Sequence, residues 1–281
     1  MNSFYAFLDK PAGISSHKCI REFQKSLPFK CKIGHHGTLD PFATGLLLVG
    51  VNEATKFFRF LDDSQKTYEA TIKLGQTTDT LDTEGEIVQE MPVPDLSPEQ
   101  IDEALQSFLG KSEQVPPMYS AVKVGGKKLY ELARKGEVVE RKAREIVIPD
   151  LIRDPGRDLT KETLSIKVTC SRGTYIRVLA EDIAKKLGTV GHLIQLRRTK
   201  VCGVDANDDD FKASSPVAIE SLLKHWPQIE VSEEQKRDLY FGKVIATDTN
   251  DGVHALNYQG QFFGMGHVES QNLRSIRLFT A

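Results

Sequence analysis

Apolar positions along this chain follow two rhythms, one of strands and one of helices. Phe4 to Leu8 is a short apolar stretch stopped by Asp9-Lys10-Pro11-Ala12-Gly13, and it reads as a strand. The continuous run Leu46-Leu47-Leu48-Val49 predicts a buried strand. Tyr68 to Leu74 and Leu164 to Thr169 alternate polar and apolar residues as half-buried strands do, and Leu193 to Val204 reads as one or two more. Helical signals lie between them. Ser15 and Ser16 cap a helix running through about Ser26. Glu53 to Leu61 reads as an amphipathic helix, and Ser97-Pro98-Glu99-Gln100 is a capping box opening a helix that ends at Gly110. Ser171-Arg172-Gly173-Thr174 turns into a helix from Tyr175 to Leu187, closed by Gly188, and Ser214 to Trp226 reads as a last helix. Strands and helices that mix without a regular βαβ beat predict an α+β fold with a central, largely antiparallel sheet flanked by helices.

The texture changes near Pro227, which predicts a boundary between residues 1–227 and a small β-rich unit at 228–281. That tail has short apolar pieces, frequent glycines, and turns at Asn250-Asp251-Gly252 and Gln259-Gly260. About 50 residues bury little surface, so this unit is expected to pack on the first.

Composition narrows the class. A chain of 281 residues with 40% hydrophobic and 27% charged residues is that of an ordinary soluble protein. It holds no apolar run near the length of a membrane span and no basic signal-peptide start, and Cys19, Cys31, Cys170 and Cys202 lack CxxC spacing. A cytoplasmic location is expected. The net charge of −2 gives no global mark of a nucleic-acid binder, but its distribution is uneven. Residues 118–145 carry Lys123, Lys127, Lys128, Arg134, Lys135, Arg141, Lys142 and Arg144 against four glutamates, a net of +4, whereas residues 78–113 sum to −9. Tyr119 and Tyr130 lie in the basic segment, and Gly125-Gly126 gives it a flexible or hairpin tip, so it suits either a phosphate-contacting arm or a solvated face.

Candidate chemistry centres on Gly34-His35-His36-Gly37-Thr38-Leu39-Asp40-Pro41-Phe42-Ala43-Thr44-Gly45. Glycines let the chain turn tightly, Pro41 holds Asp40 away from the α region, and the following strand anchors the whole. An acid so placed suits a nucleophile or general base. His35 and His36 are adjacent, hence point apart, and no third ligand is spaced nearby, so no metal is expected. A phosphate-binding Gly-Lys loop is also missing, and no cofactor is expected.

This loop resembles the catalytic motif of bacterial-type tRNA pseudouridine 55 synthases, the TruB-type family, which reads approximately Gly-His-x-Gly-Thr-Leu-Asp-Pro-x-Ala-Thr-Gly. The resemblance runs from Phe4 to Arg198 in family order: Lys10-Pro11-Ala12-Gly13-Ile14-Ser15-Ser16, Glu53-Ala54-Thr55-Lys56, Tyr68 with Leu74-Gly75-Gln76-Thr77-Thr78-Asp79-Thr80, Pro116 to Lys123, Cys170 to Arg177, and Gly191 to Arg198. It implies a pseudouridine synthase fold with a twisted mixed sheet, followed by a PUA-like module to which Gly242-Lys243 contributes a glycine turn. It implies isomerisation of a T-loop uridine in tRNA: the N1–C1′ bond breaks, the base turns, and C5 bonds to C1′. Asp40 matches the essential carboxylate, whether it attacks C1′, adds at C6 or takes a ribose proton. Tyr68 matches the residue that stacks on the base and assists proton removal at C5, and Arg177 the partner of the acid. Tyr175 and Leu196 match the pocket walls, and His35 the histidine that stacks where the T-loop opens. Lys56 matches a residue that contacts phosphate or supports the fold, and Lys123, Lys127, Lys128 and Arg134 are possible RNA contacts in the basic segment. The expected partner is the tRNA T-arm, bound by a monomer with no obligatory protein partner and no membrane. A second class is a tRNA-folding protein in which catalysis is dispensable. A third, a glycoside or nucleoside hydrolase, would need a second placed carboxylate that the sequence does not show beside Asp40.

Overall fold

The computed structural model describes residues 2–120, 122–133, 135–157 and 162–280. Its centre is a mixed sheet ordered Phe4–Lys10, Thr44–Val51, Gly191–Val201, Gln65–Leu74, Thr163–Ser171, Asp150–Arg153. Neighbours run antiparallel except at one seam, where Arg197 and Arg198 pair in parallel with Thr44 and Gly45. The seam is short because Ile33–His36 takes the same edge of Thr44–Val51 one step further along. Residues 37–43, which hold Asp40, therefore leave the sheet beside Arg198.

The sequence pattern explains which faces are covered. Leu46 and Leu48 point one way with Tyr5, Phe7, Phe57 and Phe60. Leu47 and Val49 point the other, against Cys19 and Ile20 of the helix Ser16–Ser26. Apolar residues at every position of this strand thus reflect burial on both faces. The strand Gln65–Leu74 was expected to be half-buried, yet most of it is covered on both faces because it lies in mid-sheet. Its Ala70 and Ile72 join Ile166, Val168 and the helix Ile176–Lys186, whose Leu179, Ala180 and Ile183 fill the largest core cluster. Gly188 closes this helix at φ +82° with its amide on the Lys185 carbonyl, as read from the sequence. The capping box at Ser97 is present, although its helix stops at Gln106 and Gly110 already begins a strand.

Two expected helices are absent. Glu53 to Leu61 forms two 3₁₀ turns, Asn52–Lys56 and Phe58–Phe60. Buried Ala54, Phe57 and Phe60 recur every third residue, which is the period of a 3₁₀ helix and not of an α-helix. Ser214 to Trp226 keeps one 3₁₀ turn, Ile219–Leu222, since Val217 exchanges both backbone hydrogen bonds with Tyr5 at the edge of the main sheet. Two α-helices were not anticipated, the short Leu129–Ala133 and a longer one in the tail. Glu233–Tyr240 starts on a second capping box, Ser232 with Gln235, and Gly242 turns the chain after it.

The tail strands Gln228–Glu230, Ile245–Ala246, Gly252–Tyr258, Gln261–Glu269 and Asn272–Leu278 form a five-stranded sheet. Its own cluster gathers Ile229, Leu239, Leu256, Phe263, Val268 and Leu273. Its other face meets the main body, where Phe262 and Phe279 place their rings 5.7 and 5.2 Å from Phe57.

Gly45 occupies the seam at φ +99°, and a Cβ there would lie 2.2 Å from the Arg198 carbonyl oxygen. Gly45→Ala is expected to cost on the order of 4 kcal/mol or to prevent folding. Gly203→Ala, at φ +77° with nothing within 4 Å, is expected to cost about 1 kcal/mol. Urea unfolding of both variants checks this; equal losses would mean that close approach at the seam is not what demands glycine.

Candidate active site

Asp40 sits on a loop that its surroundings hold still. Ser16 accepts from the Leu39 amide and donates to the Leu39 carbonyl, both at 2.9 Å. The Lys10 ammonium, fully buried, donates to Pro11 and Ile14 carbonyls at 2.8 Å and to the Pro41 carbonyl at 3.1 Å. The Gly13 amide donates to the same Pro41 oxygen at 2.9 Å. Thus the segment Lys10 to Ser16 wraps the acid loop from one side. Burial lowers the Lys10 pKa, and the nearby acids, Asp40 among them, oppose that.

Arg177 grips the acid from the other side. It enters in the first turn of Ile176–Lys186, points inward, and is 3% exposed. Its Nε lies 2.9 Å from Asp40 Oδ2, and Nη2 donates to Oδ1 at 3.3 Å, a bidentate pair. The remaining N–H groups meet the Thr80 carbonyl at 2.9 Å, the Tyr119 carbonyl at 2.7 Å and the Asp82 carboxylate at 3.4 Å. Asp82 is buried and accepts from Thr80 Oγ1 at 2.6 Å and the Glu84 amide at 3.0 Å. Burial raises the Asp40 pKa, Arg177 lowers it, and Asp82 raises it again. The net effect lifts the Asp40 pKa above the ordinary carboxyl value, desolvation prevailing over the fixed cation.

Asp40 stands between two cavities. One, of about 340 Å³, is lined by Tyr68, Tyr175, Leu196, Arg177, Lys66 and Arg198. The expected base-pocket residues thus converge around the acid from three separate elements. Tyr68 is buried, which pushes its phenol up to about 12 even though Arg198 acts against the rise. Tyr175 is fixed by a reciprocal clamp: its amide donates to Gln114 Oε1 at 2.7 Å, and Gln114 Nε2 donates to its carbonyl at 3.1 Å. The second cavity, about 850 Å³, adjoins the other side of Asp40 and is lined by His35, Asp79, Asp82, Glu84, Tyr119 and Tyr130. Burial first, then Arg198, lowers the His35 pKa.

Other candidates lie elsewhere. Lys56 lines neither cavity; it pairs with Glu53 at 2.8 Å and reaches Thr280 Oγ1 at 3.3 Å, near the chain end. Lys127 lies on a hairpin whose strands, Lys123–Val124 and Lys127–Lys128, are joined by Gly125 and Gly126 at φ +57° and +84°. Both glycines are left-handed, as a two-residue hairpin requires. Arg134, and the side chains of Lys123 and Lys128, lie outside the described residues.

The fold brings together groups that sequence spacing does not reveal. His36, which has no neighbouring ligand in sequence, has Asp63 and Cys202 within 4.8 Å. The Asp63 carboxylate is taken up by His36 at 2.8 Å and by Lys66 at 2.9 Å. Asp82, Gln114, Lys66 and Arg198 also escaped sequence reading. Asp82 and Gln114 look like any acid or amide in a polar stretch; the local signal for Lys66 was its position two before Tyr68, on the same strand face.

Comparison with known proteins identifies the family. Residues 24–176 match the model of the TruB family pseudouridylate synthase N-terminal domain. The chain is 42% identical over 250 residues to tRNA pseudouridine synthase B of Ralstonia pickettii, covering 85% of this chain and 78% of that one. It is 38% identical over 265 residues to the protein of the same name from Streptococcus thermophilus, covering 88% and 89%. Among solved structures, a Cbf5-Nop10-Gar1 complex contains a chain of similar fold, with a TM-score of 0.69 at 21% identity, covering 99% of this chain and 84% of that one. With relatives so similar over most of its length and a family model spanning more than half of it, the chain belongs to the TruB family of pseudouridylate synthases.

Proposed function

We propose that this protein converts a T-loop uridine of tRNA, position 55, to pseudouridine, with Asp40 as the essential carboxylate. One observation carries the assignment of roles: Asp40, held bidentately by Arg177, opens onto a cavity walled by Tyr68, Tyr175 and Leu196. Isomerisation needs an anionic oxygen near C1′ and C6 and a flat apolar surface against the base. It also needs exclusion of water while the base is detached. Asp40 supplies the oxygen and Arg177 its orientation. Each carboxylate oxygen keeps a lone pair that Arg177 does not use. Tyr68 stacks on the uracil, and Tyr175 and Leu196 keep the pocket dry. His35, beside Asp40 in the second cavity, fills the gap left when the uridine leaves the T-loop stack. Lys123, Lys127, Lys128 and Arg134 hold phosphates of the T-arm, and Lys56 serves the fold through Glu53 and Thr280.

Residues 1–227 carry the chemistry in this reading, and 228–281 form the PUA-like module that extends the contact to RNA. The protein acts as a monomer in the cytoplasm. The unbridged state of Cys19, Cys31, Cys170 and Cys202 fits a reducing compartment, and among the described residues no helix is long and apolar enough to cross a membrane.

Asp40→Asn preserves shape but removes the charge that Arg177 binds. RNA affinity is expected to stay within a few-fold, while single-turnover formation of pseudouridine on a T-arm stem-loop falls by at least about 10⁴-fold. Substantial product from this variant would identify a different carboxylate as essential.

Asp82→Asn tests the charge balance. Asp82 raises the Asp40 pKa, so its neutralisation lowers that pKa, and the acid limb of the single-turnover rate should move to lower pH. The plateau should fall as well, because Arg177 loses a partner. A pH–rate profile whose acid limb stays in place or moves upward would show that Asp40 does not set that limb.

Replacing Lys127, Lys128 and Arg134 together by Ala should weaken stem-loop binding and flatten its salt dependence, with chemistry on saturating RNA nearly intact. An unchanged slope of log K against log salt would assign these cations to a solvated face.

A further inference from the structure

Ser120 is 6% exposed, and among the described residues its Oγ has no hydrogen-bond partner. A buried hydroxyl left in that state costs free energy and calls for a reason. Its backbone is fully engaged. The Ser120 amide donates to the Met118 carbonyl at 3.0 Å, and the Ser120 carbonyl accepts from the Tyr130 amide at 3.1 Å. The preceding carbonyl, that of Tyr119, accepts from Arg177 Nη2 at 2.7 Å. Ser120 is thus pinned beside the guanidinium that holds Asp40, with both backbone groups bonded and the hydroxyl unused.

Where the hydroxyl stands narrows what it can meet. Ser120 lines both cavities, and so do Thr38, Leu39, Asp40 and Arg177. Tyr68, Tyr175 and Leu196 line only the smaller one. A uracil lying against those three walls, with C1′ in reach of Asp40, puts its ribose at the boundary between the cavities. Of the boundary side chains, Leu39 is apolar, Thr38 is exposed to solvent, and Arg177 is engaged by Asp40, Thr80, Tyr119 and Asp82. Ser120 is left as the buried hydrogen-bonding group beside Asp40 that the protein itself does not use. A hydroxyl both donates and accepts, so it complements a ribose 2′-hydroxyl, the group that tells RNA from DNA.

We propose that Ser120 is a further substrate-binding residue: its hydroxyl hydrogen-bonds the ribose 2′-hydroxyl of the target nucleotide and makes the site select RNA at that one position. The proposal rests on the reading of the smaller cavity as the uridine site. In the complex the orphaned hydroxyl gains the partner that the free protein does not supply. The contact is also tied to the basic segment, because the Tyr130 amide that fixes the Ser120 carbonyl lies just past the hairpin of Lys123–Val124 and Lys127–Lys128. Sugar and phosphate contacts to the same RNA then share one anchor in the protein.

Stability and RNA selectivity of Ser120→Ala together test this. Because the hydroxyl makes no bond in the free protein, removing it should leave the urea midpoint unchanged or raised. A lowered midpoint, or a variant that does not fold, would show that Oγ serves the fold and would overturn the proposal. Selectivity is read as the affinity for two T-arm stem-loops, with uridine or 2′-deoxyuridine at the target position alone. Both are bound to Asp40→Asn protein, so that turnover does not intervene. With Ser120 present, the 2′-hydroxyl should tighten binding about fivefold, the worth of one hydrogen bond. In Ser120→Ala that preference should fall to less than about twofold, and effects of the deoxy sugar on the RNA itself cancel in the cycle. An equal preference in both proteins overturns the contact, as does a loss of affinity that is the same for both RNAs. Pseudouridine formation on the all-ribose stem-loop by the unsubstituted protein separates the two levels. If it forms while the preference is unchanged by Ser120→Ala, only the role of Ser120 falls; if none forms, the uridine reading falls and the contact with it.

Discussion

The arrangement depends on burying the Arg177 guanidinium. Removing that cation from water costs several kcal/mol, and the cost is offset only if every donor finds a well-placed acceptor. Here the acceptors come from distant parts of the chain: Asp40 before the second sheet strand, Thr80 and Asp82 after the strand Gln65–Leu74, and Tyr119 at the start of the basic segment. With all five N–H groups engaged, Arg177 cannot follow one partner without releasing the others. The carboxylate it holds is therefore fixed in direction, which lysine with its mobile point charge would not achieve. The helix macrodipole opposes a cation in the first turn, and two carboxylates around the guanidinium outweigh that term.

Lys10 does the same for the backbone. Its three carbonyl acceptors tie the turn after the first strand to Pro41, so a second buried cation stands near Asp40 without pairing to it directly. The acid is thus left with one ion-pair partner, two usable lone pairs and a loop that cannot swing. Loops are commonly the mobile part of a site. This one is clamped from both sides, which is what a reaction with a transiently detached base requires, since a misplaced carboxylate would admit water to the same carbon.

Much of the fold was legible because strand burial leaves a simple imprint. Leu46 to Val49 is apolar throughout since both faces are covered, and the capping box at Ser97 marks its helix start. The misreadings have definite causes. At 53–61 a helical reading fits the apolar spacing loosely, but Ala54, Phe57 and Phe60 bury on a period of three. At 214–226 the backbone of Val217 is claimed by Tyr5, a partner more than 200 positions away that no local pattern announces. The helix 233–240 was legible from Ser232 and Gln235 and was passed over among glycines and turns. In the site, Asp40, Tyr68 and Arg177 were reached through motif resemblance. Asp82 and Gln114 were not, because their roles come from contacts with Arg177 and Tyr175 that span 95 and 61 positions.

The uneven charge of the chain acquires a meaning once folded. The acidic stretch 78–113 sends Asp79, Asp82 and Glu84 to the cavity beside Asp40, and Arg177 compensates part of that charge from within. The basic stretch begins at the same place, where the Tyr119 hydroxyl donates to Asp79 at 3.2 Å, and then leads away to the hairpin at Gly125-Gly126. To a polyanion these are opposite instructions: phosphates are repelled from the acid-lined cavity and attracted to the hairpin side. Carboxylates in the cavity interact favourably with base donors and unfavourably with the backbone. The pocket walled by Tyr68, Tyr175 and Leu196 lies on the other side of Asp40 and carries Lys66, Arg177 and Arg198, so the acids keep phosphates out of the second cavity while the base pocket holds the cations. A near-zero net charge hides this sorting, because the two stretches cancel in the sum and separate in space.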